Sequence, residues 1–221
     1  MKAFSLATWC SLALVAVTVP FVGGCSLDAG GLHREAAAIS RLENNVEAAR
    51  RIQALGERVQ HFSEDAVTQA YMQSSTVDER QVLLEIIAWS ERGDGRFVPL
   101  LCYVAQTSGS PGERGQAAGL LGRIKRLPDH CRTSRVVWIL GESLAREADS
   151  GAANVMAFAL DEFLRNMPGY QIPNADRTHE APAILGGVRI HTVDTVAVRK
   201  WWEAEGRAAA ERGEFDEKAK E

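Results

Sequence analysis

The sequence predicts an all-α protein, organised as a short α-solenoid of stacked antiparallel helix pairs. Three observations predict it: apolar residues recur at intervals of three and four, helix-capping patterns precede several of these stretches, and one pattern returns after 34 residues. Of the 221 residues, 46% are hydrophobic and 24% are charged, which is typical of a globular domain. The net charge of −4 disfavours nucleic-acid binding, because it leaves no basic footprint for phosphate.

Residues 1–24 have the layout of a cleaved export signal. A positively charged start precedes an uncharged apolar stretch over residues 3–22. The stretch ends in Val22-Gly23-Gly24-Cys25, which resembles the lipobox of bacterial lipoproteins. The resemblance implies that the signal is removed and that acyl chains on Cys25 anchor the protein to a membrane. An uncleaved anchor helix is the alternative, which Pro20 disfavours because proline breaks a helix.

Ser26 follows the cysteine, and this resembles the pattern that passes lipoproteins to the outer membrane of a two-membrane bacterium. We therefore expect an outer-membrane lipoprotein of the cell envelope that faces the periplasm, with residues 25–31 as its lipid tether. The helical-repeat domain is expected to span residues 32–212. Residues 213–221 are expected to form a disordered tail.

One long helix and one shorter helix are predicted at the start of this domain. The long helix would bury an apolar stripe at helical spacing, with a bend allowed at Gly56. That stripe consists of Ile39, Leu42, Val46, Ala49, Ile52, Leu55, Val59 and Phe62. Ser63 is expected to cap the shorter helix, which would reach about Met72.

Two capping boxes mark the next helices. In Thr76-Val77-Asp78-Glu79 and in Ser110-Pro111-Gly112-Glu113, the first and last residues each satisfy an amide of the other. Between them, an apolar stripe predicts a helix with Pro99 in its first turn. The stripe comprises Phe97, Leu100, Leu101, Val104 and Ala105. Two further helices are expected at about 133–147 and 152–166.

The pattern that starts at Glu79-Arg80 returns at Glu113-Arg114, which indicates repeated helix pairs. The segment from Glu113 to Ile124 is similar to the first helix of HEAT repeats, and residues 93–101 resemble the turn and second helix of that family. The resemblance covers about residues 76–166. It implies HEAT-like units that bury their apolar faces by stacking. Generic three-helix or irregular helical packing is the alternative.

Residues 167–191 interrupt the helical rhythm as a loop insertion. Pro173 and Pro182 prevent a helix there, and residues 185–188 would form a tiny hairpin. A connection of this length is either functional or disordered. A terminal helix over residues 192–212 is expected to follow.

Two pairs of residues stand out in the mature domain. Cys102 and Cys131 are candidates for a disulfide, since disulfides persist outside the cytoplasm. The alternative is two buried thiols on helix faces. Trp201-Trp202 would plug the end of the array, because adjacent helical positions point about 100° apart. The alternative is that Trp202 and Trp201 anchor a partner protein.

The sequence predicts neither a metal site nor a cofactor. Residues 129–131 (Asp-His-Cys) are adjacent and would point apart, so a loop between helices explains them better than metal ligation. The best enzymatic candidate is a polar cluster within residues 176–194. It comprises Asp176, His179, Glu180, His191 and Asp194.

A group of basic residues is interpreted as a solvated face or, alternatively, as a surface for an acidic partner. The group comprises Arg114, Arg123, Lys125, Arg126, Arg132 and Arg135. The sequence as a whole favours a non-enzymatic envelope lipoprotein that acts as a protein–protein interaction scaffold or accessory factor. Its expected partners are the membrane, through Cys25, and an unidentified envelope protein. The alternatives are a periplasmic inhibitor or immunity protein against a secreted toxin, and an envelope hydrolase that uses the cluster at 176–194.

Overall fold

A computed structural model describes residues 28–59, 62–90, 95–167, 169–180 and 189–218. Most of these residues are helical, as predicted, and a two-stranded antiparallel hairpin interrupts the helices near the C-terminus. The predicted export signal, Cys25 and the hairpin predicted at residues 185–188 lie outside the described residues. No helix within the described ranges is long and apolar enough to cross a bilayer.

Eight helices are described before the hairpin. They are α1 (Ala29–Ser40), α2 (Asn45–Val59), α3 (Glu64–Gln73), α4 (Val77–Ser90), α5 (Val98–Thr107), α6 (Pro111–Gly122), α7 (Thr133–Arg146) and α8 (Ser150–Asn166). The hairpin consists of β1 (Asp176–Glu180) and β2 (Arg189–Val193). The chain continues through α9 (Thr195–Trp201), a π-helical turn (Trp202–Gly206), α10 (Arg207–Glu211) and α11 (Glu214–Lys218).

The prediction of one long helix over residues 39–62 is wrong, because the chain breaks at residues 41–44 and forms α1 and α2. The Asn44 side chain caps α2 by accepting hydrogen bonds from the amides of Val46 (3.0 Å) and Glu47 (3.2 Å). Val46, which the spacing placed in the apolar stripe, is half exposed. An Asn followed by Glu after three residues is a helix-start signal that the apolar spacing concealed.

The predicted N-caps of α3, α4 and α6 are confirmed, but the reciprocal bond expected at Ser110 is wrong, because the Ser110 amide donates to Ser108 Oγ at 3.1 Å instead of to Glu113. Ser63, Thr76 and Ser110 each accept a hydrogen bond from the amide three residues later, over 3.1, 3.2 and 3.4 Å. The apolar stripe expected in the helix that contains Pro99 is buried as well, including Leu100, Leu101 and Val104. Trp89 of α4 lies beside Gly56 of α2, and half of its surface is exposed.

Neighbouring helices pack in an alternating order. Among the even-numbered helices, α4 contacts α2 and α6, and α6 contacts α8. Among the odd-numbered ones, α5 contacts α7. Helix α7 also contacts α10 near the C-terminus. Helix α5 also packs on α6, and α7 packs on α8, so the core lies between the two sets of helices.

Small residues allow α6 and α8 to approach each other closely. Gly115 faces Ala152, and Gly122 faces Ala159. A Cβ atom added at Gly122 would lie 2.8 Å from the Cα atom of Ala159 and 2.9 Å from its carbonyl oxygen. Both atoms belong to the backbone, so no side chain can rotate away to make room.

Gly122→Ala is therefore expected to destabilise the protein by about 1–3 kcal/mol, since α6 and α8 must separate to accept the methyl group. Urea unfolding followed by circular dichroism measures the change. Gly109→Ala is the matched control, because a Cβ atom there meets nothing within 4 Å. Equal unfolding midpoints for the two variants would contradict the close approach of the helices.

Two predictions for the C-terminal segment are wrong. The terminal helix begins at Thr195 rather than 192, because residues 189–193 form β2 and the Asp194 carboxylate caps α9 through the amides of Val196 and Ala197. The segment expected to be disordered also contains α11. Phe215 of that helix is buried, and its ring meets the Tyr170 ring edge-on at 5.7 Å.

Candidate functional site

A buried ion pair joins α4 to α6. The Arg80 Nε atom donates to Glu113 Oε1 at 2.8 Å, and Arg80 Nη1 donates to the carbonyl of Ser74 at 3.2 Å. Glu113 is 1% exposed and also accepts hydrogen bonds from the hydroxyls of Tyr71 (3.1 Å) and Ser108. Burial and this neighbouring carboxylate raise the pKa of Tyr71.

The same arrangement recurs 34 residues later in the sequence. Arg114 Nε and Nη2 donate to the Glu147 carboxylate at 2.7 and 2.9 Å, and Arg114 Nη1 donates to the carbonyl of Ser108 at 2.8 Å. Hydrogen bonds from Arg114 hold the pKa of Glu147 below its usual value. Arg114 therefore does not belong to a solvated basic face. We call the pairs Arg80–Glu113 and Arg114–Glu147 the ion-pair ladder.

At the N-terminal end of the ladder, backbone amides donate hydrogen bonds to the corresponding glutamate. Glu79 occupies the position that corresponds to Glu113, and it accepts from the amides of Ser75 (2.9 Å) and Thr76 (3.4 Å), with His33 Nε2 at 3.8 Å. Burial raises the pKa of Glu79, but these hydrogen bonds outweigh it and lower the pKa overall. The ladder therefore begins at the N-terminus of α4.

The paired tryptophans close the other end of the helical domain. Trp202 is fully buried against Gly141, and its Nε1 donates to Glu142 Oε1 at 3.2 Å. Trp201 is 7% exposed, and its Nε1 donates to the Tyr170 hydroxyl at 3.1 Å. The burial of both rings agrees with the prediction that they form a structural plug. The alternative, that Trp202 and Trp201 anchor a partner, does not fit, because the two rings expose almost no surface.

Glu142 connects the tryptophan plug to the helices around it. Its carboxylate accepts from Arg207 Nε at 2.6 Å and from Arg146 Nη2 at 3.0 Å, besides the Trp202 indole. Burial raises the pKa of Glu142, but the three donors lower it overall. The π-helical turn at residues 202–206 places the Trp202 indole at this carboxylate.

The candidate functional site is a surface cleft of about 570 Å³ between α5, α7 and α10. Its floor is largely apolar and includes Val98, Cys102, Ile139 and Ala210. Its rim is polar and is formed by His130, Arg132, Arg135, Glu211, Arg212 and Asp216. A cleft of this size with an apolar floor and a few polar groups is typical of a binding site.

The C-terminal segment, which forms part of the cleft wall, is hydrogen-bonded to the start of α7. The amide of Ser134 donates to Asp216 Oδ1 at 2.9 Å, and the amide of Asp216 donates to Ser134 Oγ at 3.2 Å. Arg132 Nε lies 3.7 Å from the second carboxylate oxygen of Asp216. These contacts position the arginines of α7 along the rim.

Cys102 and Cys131 both line the cleft, but the structure contains them as free thiols rather than as a disulfide. Burial raises the pKa of the Cys102 thiol to about 12, and burial also raises the pKa of Cys131. Thiols with raised pKa values are poor nucleophiles at neutral pH, because the thiolate is the reactive form. Their pairing in an oxidising compartment stays a prediction.

The backbone register of the hairpin separates the two histidines of the polar cluster predicted at residues 176–194. The strand register pairs His179 with Ile190 and His191 with Thr178, so the two histidine positions belong to opposite faces of the hairpin. Asp194 is engaged as the cap of α9. Across the described part of the chain, no group of three His, Cys, Asp or Glu residues is arranged to hold a metal ion.

Comparison of the chain with protein-family models, with curated proteins and with solved structures finds no significant match. The cleft was not predicted from the sequence, because its walls come from segments about 110 residues apart. The grouped basic residues Arg132 and Arg135 were the available signal, and both line the rim.

Proposed function

We propose that the protein is a lipid-anchored envelope protein that acts as a non-enzymatic scaffold for a partner protein. The observation that carries the proposal is the cleft between α5, α7 and α10, which exposes arginines above an apolar floor. Interaction sites combine an apolar centre with a polar rim in this way. The buried tryptophans and the ion-pair ladder support a rigid frame around the cleft rather than a reacting centre.

We also propose that the helices form a short HEAT-like solenoid. Support comes from the alternating packing, in which α4, α6 and α8 follow one another while α5 lies beside α7. The ion-pair ladder adds a second argument. Each of its two arginines pairs with a glutamate 33 residues later in the sequence. Each ion pair would therefore join one repeat to the next.

Lipid anchoring rests on the Val22-Gly23-Gly24-Cys25 motif. Cys25→Ala is expected to accumulate as a full-length precursor without acyl chains, because the cysteine thiol is the acylated group. Mass spectrometry of the protein expressed in a bacterium with the lipoprotein pathway measures both features. A Cys10→Ala variant serves as the control and should mature normally. Normal cleavage of the Cys25→Ala variant would refute the lipobox.

Partner binding at the cleft is tested by photo-crosslinking in the native envelope. A photo-reactive amino acid at Glu211, which is exposed on the rim, is expected to give a discrete adduct of higher mass. The same amino acid at Arg50, which is exposed on α2 away from the cleft, is the control and should give none. Equal adducts from the two positions, or none from position 211, would contradict the scaffold function.

A further inference from the structure

The rim of the cleft is richer in cations than the rest of this acidic chain. Arg132, Arg135 and Arg212 share the rim with two carboxylates, those of Glu211 and Asp216, although the chain carries a net charge of −4. Asp216 is engaged further by the hydrogen bond from the amide of Ser134. Arg132 and Arg212 each lie next to a carboxylate, those of Asp216 and Glu214, which leaves Arg135 as the rim arginine that could meet an acidic group of a partner.

Arg135 is the best-placed of these cations. It is exposed, and its guanidinium carbon lies 4.7 Å from the centroid of the Trp138 ring. Within the described residues, it forms no ion pair with a carboxylate, whereas Arg212 pairs with Glu214 at 2.7 Å. Stacking on an indole orients the planar guanidinium and leaves its N–H edge available to a carboxylate in bidentate geometry.

The floor of the cleft sets a second requirement on the occupant. Val98, Ile139 and Ala210 provide apolar surface beneath the arginines, and the volume of about 570 Å³ exceeds what one carboxylate fills. An occupant must therefore carry apolar groups next to its acidic ones. The carboxylates of Glu211 and Asp216 would repel a dense phosphate backbone, whereas a peptide can direct its N–H groups toward them.

We infer that this cleft binds a short acidic peptide segment of the partner protein, with apolar side chains on the floor and a carboxylate on Arg135. The inference rests on the proposed scaffold function and adds the chemical class of the partner. Arg132, which is 81% exposed at the start of α7, supplies a second contact on the same rim. Salt is expected to weaken the complex, because these contacts lie at an exposed rim.

Fluorescence anisotropy tests the inference with the full chain purified in detergent. The probe is a labelled hexapeptide of alternating Glu and Leu, and the comparison peptide has Gln in place of each Glu. The acidic peptide is expected to bind about tenfold more tightly than the neutral one, as one charged hydrogen-bonded contact provides. Arg135→Gln should remove about this advantage, and Arg135→Lys should retain part of it because it keeps the charge.

Arg123→Gln is the matched control, since Arg123 is exposed at the end of α6 and outside the cleft. Equal weakening by Arg123→Gln and Arg135→Gln would show nonspecific attraction and overturn the inference. Equal binding of the two peptides, no binding of the acidic peptide at millimolar concentration, or its displacement by millimolar inorganic phosphate would overturn it as well. A crosslink at position 211 without acidic-peptide binding would leave the scaffold function standing and refute only the acidic class of partner.

Discussion

Glu113→Ala is expected to lower the free energy of unfolding by about 3–5 kcal/mol, which makes it one of the most damaging single substitutions in the chain. The carboxylate is 1% exposed and holds Arg80, Tyr71 and Ser108 together. Removing it leaves the Arg80 guanidinium without its carboxylate and the Tyr71 hydroxyl without an acceptor. Urea denaturation, followed by circular dichroism at about 222 nm, measures the loss.

Glu57→Ala is the control for this substitution, because Glu57 is exposed on α2 and accepts a long hydrogen bond of 3.4 Å from Gln53. It should change the free energy of unfolding by less than about 0.5 kcal/mol. Glu113→Gln separates charge from shape, since the amide retains an acceptor for Tyr71, and it should fall between the two. A Glu113→Ala variant as stable as Glu57→Ala would contradict a structural role for the buried pair.

Trp202→Ala is expected to destabilise the protein by about 3–5 kcal/mol, because it empties the space that the fully buried indole fills against Gly141. The substitution also removes one of the donors to Glu142, which then depends on Arg146 and Arg207. Thermal unfolding followed by circular dichroism measures the change without relying on tryptophan fluorescence.

Trp89→Ala provides the matched control, since half of the Trp89 surface is already exposed. It should cause a clearly smaller loss of stability. Trp202→Phe keeps most of the buried ring area but lacks the indole N–H, so an intermediate loss is expected. If Trp202→Ala and Trp89→Ala unfold at the same temperature, the C-terminal plug does not contribute to the core as described.

Local signals in the sequence were sufficient to predict most of the helices. The capping residues Ser63, Thr76 and Ser110 act within a few residues, and the structure confirms each of them. The spacing of apolar residues likewise located the buried face of α5. The break between α1 and α2 was missed because the apolar spacing continues through it. The residue that indicates a new helix there is Asn44, which caps α2.

Contacts between distant segments were not predictable from those local patterns. The recurrence of Glu-Arg after 34 residues was visible, but it does not show that the Arg80 side chain pairs with Glu113 of α6 instead of pointing into solvent. Phe215 lies in a strongly charged tail, and only its packing beside Tyr170 and Trp201 explains why that tail folds. The cleft depends on the same packing of the tail, because the Asp216 carboxylate accepts a hydrogen bond from the Ser134 amide at the start of α7.

The coupling energy between Arg80 and Glu113 tests most directly whether the ion-pair ladder stabilises the packing of α4 on α6. Urea unfolding of Arg80→Ala, Glu113→Ala and the double variant gives this energy, and the exposed pair Arg212–Glu214 is the reference. We predict a coupling of at least about 1.5 kcal/mol for the ladder pair and less than about 1 kcal/mol for the reference pair. Equal coupling in the two pairs would contradict the ladder.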